Sequence, residues 1–255
     1  MKTIAIVNQK GGVGKSTTAA ALAGGMARRG LRVLSVDMDA QGNLSHTMRA
    51  SQTPGKSVLE VLLGGLPARD AVQPTQEFGD LLPASRGLSG ADAFLSETGK
   101  EYRLREALEP LEGGYDYCVI DSPPALGIAT VNALTAAGLA VIPAQADIYS
   151  LQGVEQLAAT VGTVRRYCNP GLKLDGILLT RYNPRPVLSR EVRELMAQLA
   201  ERLGTRLYET AIREAVAVKE AQISRRNLFS YAPQANAAKD YQSFLKEAFG
   251  IEWEE

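Results

Sequence analysis

An apolar run, Thr3-Ile4-Ala5-Ile6-Val7, leads directly into Gln9-Lys10-Gly11-Gly12-Val13-Gly14-Lys15-Ser16-Thr17 and then into an alanine-rich stretch that reaches Gly30. This order of strand, glycine-rich turn and helix constrains the fold more than any other segment. The glycines let the backbone turn sharply between the two elements, and a helix that follows at once must fold back along the strand. Gly30 is the expected stop of that helix. Further apolar runs lie at 31–36, 117–120, 139–142 and 174–179. They are continuous rather than alternating, the pattern of strands buried on both faces of a parallel sheet. Helix-length segments separate or follow them near 57–64, 101–111, 127–137, 151–167, 188–203 and 236–249. The alternation predicts an α/β fold, a doubly wound and mostly parallel sheet flanked by helices.

A chain of 255 residues buries roughly 70–75% of its unfolded surface, enough for one substantial core without staples. No repeat, low-complexity linker or composition break divides it, so residues 1–255 are expected to form a single domain. The stretch from Gly42 to Lys56 is the longest without a clear element and reads as a mobile loop. Two cysteines, Cys118 and Cys168, cannot build a disulfide framework or a four-thiolate metal site. With no run near the roughly 20 apolar residues of a membrane span and no signal-peptide pattern, a cytoplasmic protein is expected.

The glycine-rich loop carries the clearest chemistry. Its successive N–H groups face one point, and the helix N-terminus adds partial positive charge to that point. Lys15 adds a full charge for terminal phosphates, and the Ser16 hydroxyl is placed to ligate Mg²⁺. The phosphate-binding residues are therefore Gly11, Gly12, Val13, Gly14, Lys15, Ser16 and Thr17. A second constellation, Val33-Leu34-Ser35-Val36-Asp37-Met38-Asp39, ends a buried strand in two acids two residues apart. A turn beginning at Met38 lets both carboxylates point toward the phosphates. In the third, Tyr117-Cys118-Val119-Ile120-Asp121 places one carboxylate at a strand's C-terminal end, where it can hold a water of Mg²⁺. Pro123 and Pro124 then turn the chain out of the sheet.

The loop departs from the general pattern G-x-x-x-x-G-K-[ST], because Gln9 stands at the first glycine and a second lysine, Lys10, follows it. In this it resembles the deviant Walker A loops of the ParA/MinD group. With the acidic strand ends and with Val141–Val154, the resemblance covers nearly the whole chain and is closest to ParA-type, Soj-like partition ATPases. It implies ATP and Mg²⁺ as cofactors, with Asp121 as the Walker B acid and the loop through Gly127 as a nucleotide-sensing switch. It further implies an ATP-dependent homodimer in which Lys10 reaches the partner's phosphates, while Asp39 orients the attacking water and Asp37 is left a secondary or structural carboxylate. The catalytic residues are then Lys10, Lys15 and Asp39. Slow hydrolysis, non-specific DNA, a stimulating ParB-like centromere-binding protein and a nucleoid location follow from the same resemblance. The family usually has proline where Ala40 stands. The early position of the loop leaves no room for the N-terminal DNA-binding domain of longer plasmid relatives, so sequence-specific autorepression is not expected.

Charge is even overall, 28 Lys and Arg against 28 Asp and Glu, yet it is sorted along the chain. Residues 165–226 hold 13 bases and 7 acids, while the part from 227 onward holds 2 bases and 5 acids. The basic quarter includes Thr180–Val192, which looks like the segment that carries DNA-binding arginines in ParA proteins. Guanidinium groups on one surface give phosphate affinity without sequence information. Arg185, Arg190, Arg193 and Lys219 are the candidates, with Arg213, Arg225 and Arg226 behind them. Two departures fall here: Arg213 replaces the proline that relatives carry near the adenine, and Ala217 stands where they use an arginine for DNA.

A membrane-bound, MinD-like positioning ATPase is the alternative. Its relatives end in a basic amphipathic helix, whereas this chain ends Glu252-Trp253-Glu254-Glu255, acids that anionic lipid would repel. The lone histidine, His46, reads as a surface loop residue, and Cys118 as a small core residue.

Overall fold

Strand β1 (Lys2–Ile6) lies inside a sheet whose remaining members are β2 (Val33–Asp37), β3 (Gln73–Pro74), β4 (Asp80–Leu82), β5 (Tyr117–Asp121), β6 (Leu139–Ala144), β7 (Lys173–Tyr182) and β8 (Leu207–Arg213). The computed structural model describes residues 1–51 and 53–253, and among these the eight strands run in the order β3-β4-β2-β5-β1-β6-β7-β8. Only the short β3 is antiparallel to its neighbour β4; the other pairs are parallel. The doubly wound, mostly parallel α/β architecture is the one the apolar runs predict.

Both faces of the sheet are covered, as a parallel sheet requires. Alternate residues of β1 serve different cores. Ile4 and Ile6 pack with Leu22 and Met26 of the Lys15–Arg28 helix and with Tyr241, Phe244 and Leu245 of the Asn236–Phe249 helix. Ala5, and Val7 just past the strand, face the other way, toward Val154 and Leu157 of the Ile148–Tyr167 helix. Each such fully buried Leu, Ile or Phe contributes roughly 1.5–3 kcal/mol relative to an exposed one.

The Asn236–Phe249 helix is amphipathic, but its apolar side is committed to this core. Phe244 meets Tyr208 edge-on with ring centroids 4.8 Å apart, and Trp253 lies over Phe229 at 4.7 Å. No apolar face of it is left for lipid, and among the described residues no helix is long and apolar enough to cross a membrane. Glu254 and Glu255, which weigh against the membrane alternative in the sequence, lie outside the described residues.

Three expectations about elements need correction. The 42–56 stretch is not featureless: Asn43–Thr47 is a short helix, with Leu44 within it and Met48 at its C-terminal end both buried. Five residues are too few to show a helical period. The 101–111 helix is broken into 3₁₀ turns at Lys100–Tyr102 and Glu109–Leu111 around an α-helix at Arg103–Leu108. The strand expected from Leu31 begins at Val33, because Arg32 instead pairs through its amide and guanidinium with Asp116. The apolar pattern also misses β4, β8 and the Val216–Ile223 helix. Cys118 is buried in β5, as expected, and neither cysteine is bonded to the other.

Candidate functional site

Order reverses around β1: the chain moves to one side for β2 and later returns to the other side for β6. Crevices beyond the carboxyl ends of strands at such a reversal are where open α/β sheets hold ligands. The 8–16 loop sits there. Its start is pinned by Asn8, whose buried side chain donates to Pro143 O at 2.6 Å and accepts the Lys10 amide at 2.9 Å. Gly12 and Gly14 adopt φ of +75° and +89°, conformations other residues enter only with strain. Gly14 is the N-cap of the Lys15–Arg28 helix and offers no side chain to its free amides. A Cβ placed at Gly11 or Gly12 would meet nothing within 4 Å, so the loop faces open space at these two positions.

Lys15 is buried, and its Nζ donates back to Lys10 O at 3.2 Å, inside its own loop. Burial lowers its pKa, while the charges of Asp121 and Asp39 act in the opposite direction. The ammonium thus lacks a full counter-ion partner, which a phosphate would supply.

The strand-end acids come together from neighbouring strands. Asp37 of β2 is register partner of Asp121 of β5. Their surroundings differ. Asp37 accepts the Ser45 amide and hydroxyl, both at 2.7 Å, and the Asp39 amide at 3.2 Å. Burial pushes its carboxyl up to about 6 against the pull of those donors. Asp37 therefore ties the Asn43–Thr47 helix to the sheet, the structural role. Asp121 is fully buried, and neither of its carboxylate oxygens has a hydrogen-bond partner among the described residues. Burial, and then the neighbouring Asp37, raise its pKa well above the usual carboxylate range, with Ser16 and Lys15 pulling the other way.

A buried carboxylate with no well-formed hydrogen bond, close to the Ser16 hydroxyl and the Lys15 ammonium, has the ligand chemistry for a hard cation that brings its own waters. No group of three or more His, Cys, Asp or Glu among the described residues forms an all-protein metal cage. That pattern fits Mg²⁺ carried with a phosphate better than a resident metal.

Asp39, nearly buried, accepts the Gln41 amide at 3.0 Å and lines a cleft of about 470 Å³ together with Gly11, Gly12 and Gly14–Thr17. The far wall is made by Ile212–Ala215, Val218 and Gln222, with Tyr241 behind. Gln222 donates to Thr17 Oγ1 at 2.8 Å, and the Tyr241 and Thr18 hydroxyls are 3.1 Å apart, so this wall is fastened to the phosphate-loop helix. Thr180 of β7 donates to Val13 O at 2.7 Å from beneath the loop. The sequence singles out none of Thr180, Gln222 or Tyr241, since only tertiary folding brings them to the loop. Arg213, in place of the family's proline, grips Asp240 through its amide at 2.9 Å and its guanidinium at 2.6 Å, which secures the end of β8 by a different device.

Lys10 does not line this cleft. Its Nζ is held 2.6 Å from Asp147 Oδ2. The basic candidates are scattered in their bonding. Arg190 caps the Pro184 and Arg185 carbonyls, and Arg193 donates to Glu209 O and lies over the Tyr182 ring. Lys219 pairs with Glu214 at the mouth of the cleft. Of Arg225 and Arg226, the first donates to His46 and the second pairs with Glu77. The guanidinium of Arg185 is exposed and makes no hydrogen bond or ion pair among the described residues.

A family model described as an AAA domain matches residues 1–174. The chain is 37% identical to chromosome partitioning protein ParA of Caulobacter vibrioides over 257 residues, 99% of this chain and 95% of the relative. It is 38% identical to the sporulation initiation inhibitor protein Soj of Bacillus subtilis, over 96% of this chain and 97% of the relative. Among solved structures, cobyrinic acid a,c-diamide synthase from Mycobacterium smegmatis with bound ATP analog and magnesium superimposes with a TM-score of 0.81 at 34% identity, covering 99% of this chain and 98% of that one. With the loop, the paired strand-end acids and this near-complete alignment in hand, we conclude that the chain belongs to the ParA/Soj family of P-loop ATPases.

Proposed function

We propose that the protein binds MgATP in the 470 Å³ cleft, closes into an ATP-dependent homodimer, binds DNA non-specifically and hydrolyses ATP slowly until a ParB-like partner stimulates it. The observation that carries this reading is the pairing of a glycine loop open to the cleft at Gly11 and Gly12 with the fully buried carboxylate of Asp121 beside Ser16 and Lys15. The loop amides and Lys15 hold the phosphates. Mg²⁺, bound by Ser16 and through water by Asp121, neutralises charge on the terminal phosphates.

Asp39 is the residue that orients the attacking water. Lys10 has to leave Asp147 before it can reach a partner's phosphates, so dimer formation exchanges one anionic partner for another. Arg185, Arg190, Arg193 and Lys219 supply the basic surface, with Arg185 the member not engaged elsewhere. A nucleoid-associated role in chromosome partitioning follows from the relatives named above.

The test is a salt-dependent DNA-binding titration with and without ATP, beside vesicle pelleting with anionic lipid. ATP-dependent DNA retention that falls with salt is expected. Lipid binding without DNA binding would replace this reading by the membrane-positioning one.

A further inference from the structure

We propose that Arg181 is a nucleotide-contacting residue, its guanidinium binding the α-phosphate of ADP or ATP in the cleft.

Four observations carry the assignment. First, the backbone at Arg181 is unusual: φ is +49°, left-handed for a residue with a long side chain. The register of β7 against β8 also shifts between Thr180 and Tyr182, so Arg181 is the extra residue of a bulge. Bulges next to sites re-aim a side chain, and a left-handed non-glycine residue persists only where its surroundings fix it.

Second, the fixing is visible. On one side of Arg181, buried Thr180 is bonded to Val13 O and Ala144 O; on the other, Tyr182 is buried under Arg193. Arg181 itself is exposed and lines the cleft. Third, its guanidinium has no hydrogen bond, ion pair or ring contact among the described residues, whereas Arg190, Arg193, Arg206 and Arg213 in the same quarter are all engaged.

Fourth, the sheet order places it along the length of a nucleotide. The phosphate loop follows β1 and the far wall follows β8, with β6 and β7 between them. Arg181 at the end of β7 stands between the loop and the wall. A fork of N–H donors there suits the phosphate nearest the sugar. It is distinct from the terminal phosphates that Lys15 serves.

This assignment rests on the nucleotide reading of the cleft, so the experiment separates the two. Affinities of ADP and ATP are measured by fluorescence titration for the wild type, Arg181→Met, Arg181→Lys and Lys15→Ala. Methionine occupies a left-handed position at a cost similar to arginine's, so the nucleotide-free melting temperature should hold. Arg181→Met should weaken ADP and ATP alike by about tenfold, the scale of one charge-assisted contact in a partly wet site. Arg181→Lys should recover part of that loss.

Loss for ATP alone would overturn the α-phosphate placement. Unchanged affinity in Arg181→Met, with Lys15→Ala severely weakened, would overturn the assignment while leaving the cleft a nucleotide site. Unchanged affinity in both would remove nucleotide from the cleft and the assignment with it. Unchanged nucleotide affinity with weakened DNA retention would move Arg181 to the DNA surface and overturn the proposal.

Discussion

Lys10 Nζ and Asp147 Oδ2 meet at 2.6 Å across 137 residues of chain, each side chain about one-third exposed. The same carboxylate is the N-cap of the Ile148–Tyr167 helix, accepting the Ser150 amide at 3.0 Å and its hydroxyl at 3.1 Å. Burial pushes the Asp147 carboxyl up, but Lys10 and Ser150 outweigh it and hold it below the usual carboxylate value. One side chain thus fastens the second lysine of the phosphate loop and begins the helix that leads away from β6.

Replacing Lys10 should therefore separate binding from assembly. Lys10→Ala removes no residue that lines the cleft, so ATP affinity should stay within about threefold of wild type, less than one hydrogen bond to a charged group is worth. ATP-dependent dimerisation, read by analytical ultracentrifugation, should be lost. A Lys10→Ala protein that dimerises normally with ATP would remove that lysine from the partner's site.

Asp147 gives a stability prediction with an internal control. Asp147→Ala loses the cap and should cost about 1 kcal/mol, roughly 2–4 °C in melting temperature for a chain of this size. Asp147→Asn keeps an acceptor for Ser150 and gives up only a partly exposed ion pair, worth about 0–1 kcal/mol. The pH dependence has a definite sign. Because the folded pKa lies below the ordinary carboxyl value of 3.8, the contribution of Asp147 is full above that value and disappears as pH falls through the lower folded pKa. The wild-type advantage over Asp147→Ala should narrow only below about pH 4.

Asp39 tests the chemistry rather than the binding. Its carboxylate reaches the cleft but supports no other element beyond the Gln41 amide. Asp39→Ala should hold ATP and dimerise, yet release phosphate about 100-fold more slowly, within the range of positioned acid–base groups. Turnover at the wild-type rate would exclude Asp39 from water positioning.

The two thiols should behave oppositely toward alkylation. Cys118 is fully buried in β5, and burial pushes its pKa up to about 12. At pH 8 its thiolate fraction is then on the order of 10⁻⁴ in the folded chain. Cys168 is partly exposed beyond the Ile148–Tyr167 helix. One equivalent of maleimide should react in buffer and two in denaturant; two in buffer would mean that the β5 core opens readily.

Strand β1, the glycine loop and Asp121 were legible because each is a local pattern: a continuous apolar run ending in residues of one chemical kind. β8 was not. It is an edge strand of alternating and intermediate burial, so its sequence lacks the continuous apolar run of a central strand. The three residues of β4 are too few to register at all. The loop chemistry could be read from residues 9–17, but the parking of Lys10 on Asp147 and the grip of Arg213 on Asp240 depend on partners that only the folded sheet brings close. The same holds for the basic quarter. Sequence counts its arginines, whereas structure shows that most of them already hold carbonyls or carboxylates.

The bonds from Gln222 to Thr17 and from Tyr241 to Thr18 also set an order in time. During synthesis the phosphate loop leaves the ribosome about 200 residues before the wall that encloses it. A nascent chain carries the loop with one side of its pocket missing for most of its translation, and the pocket becomes whole only when β8 and the Asn236–Phe249 helix dock. Competence to enclose a ligand therefore arises only after the Asn236–Phe249 helix has been made.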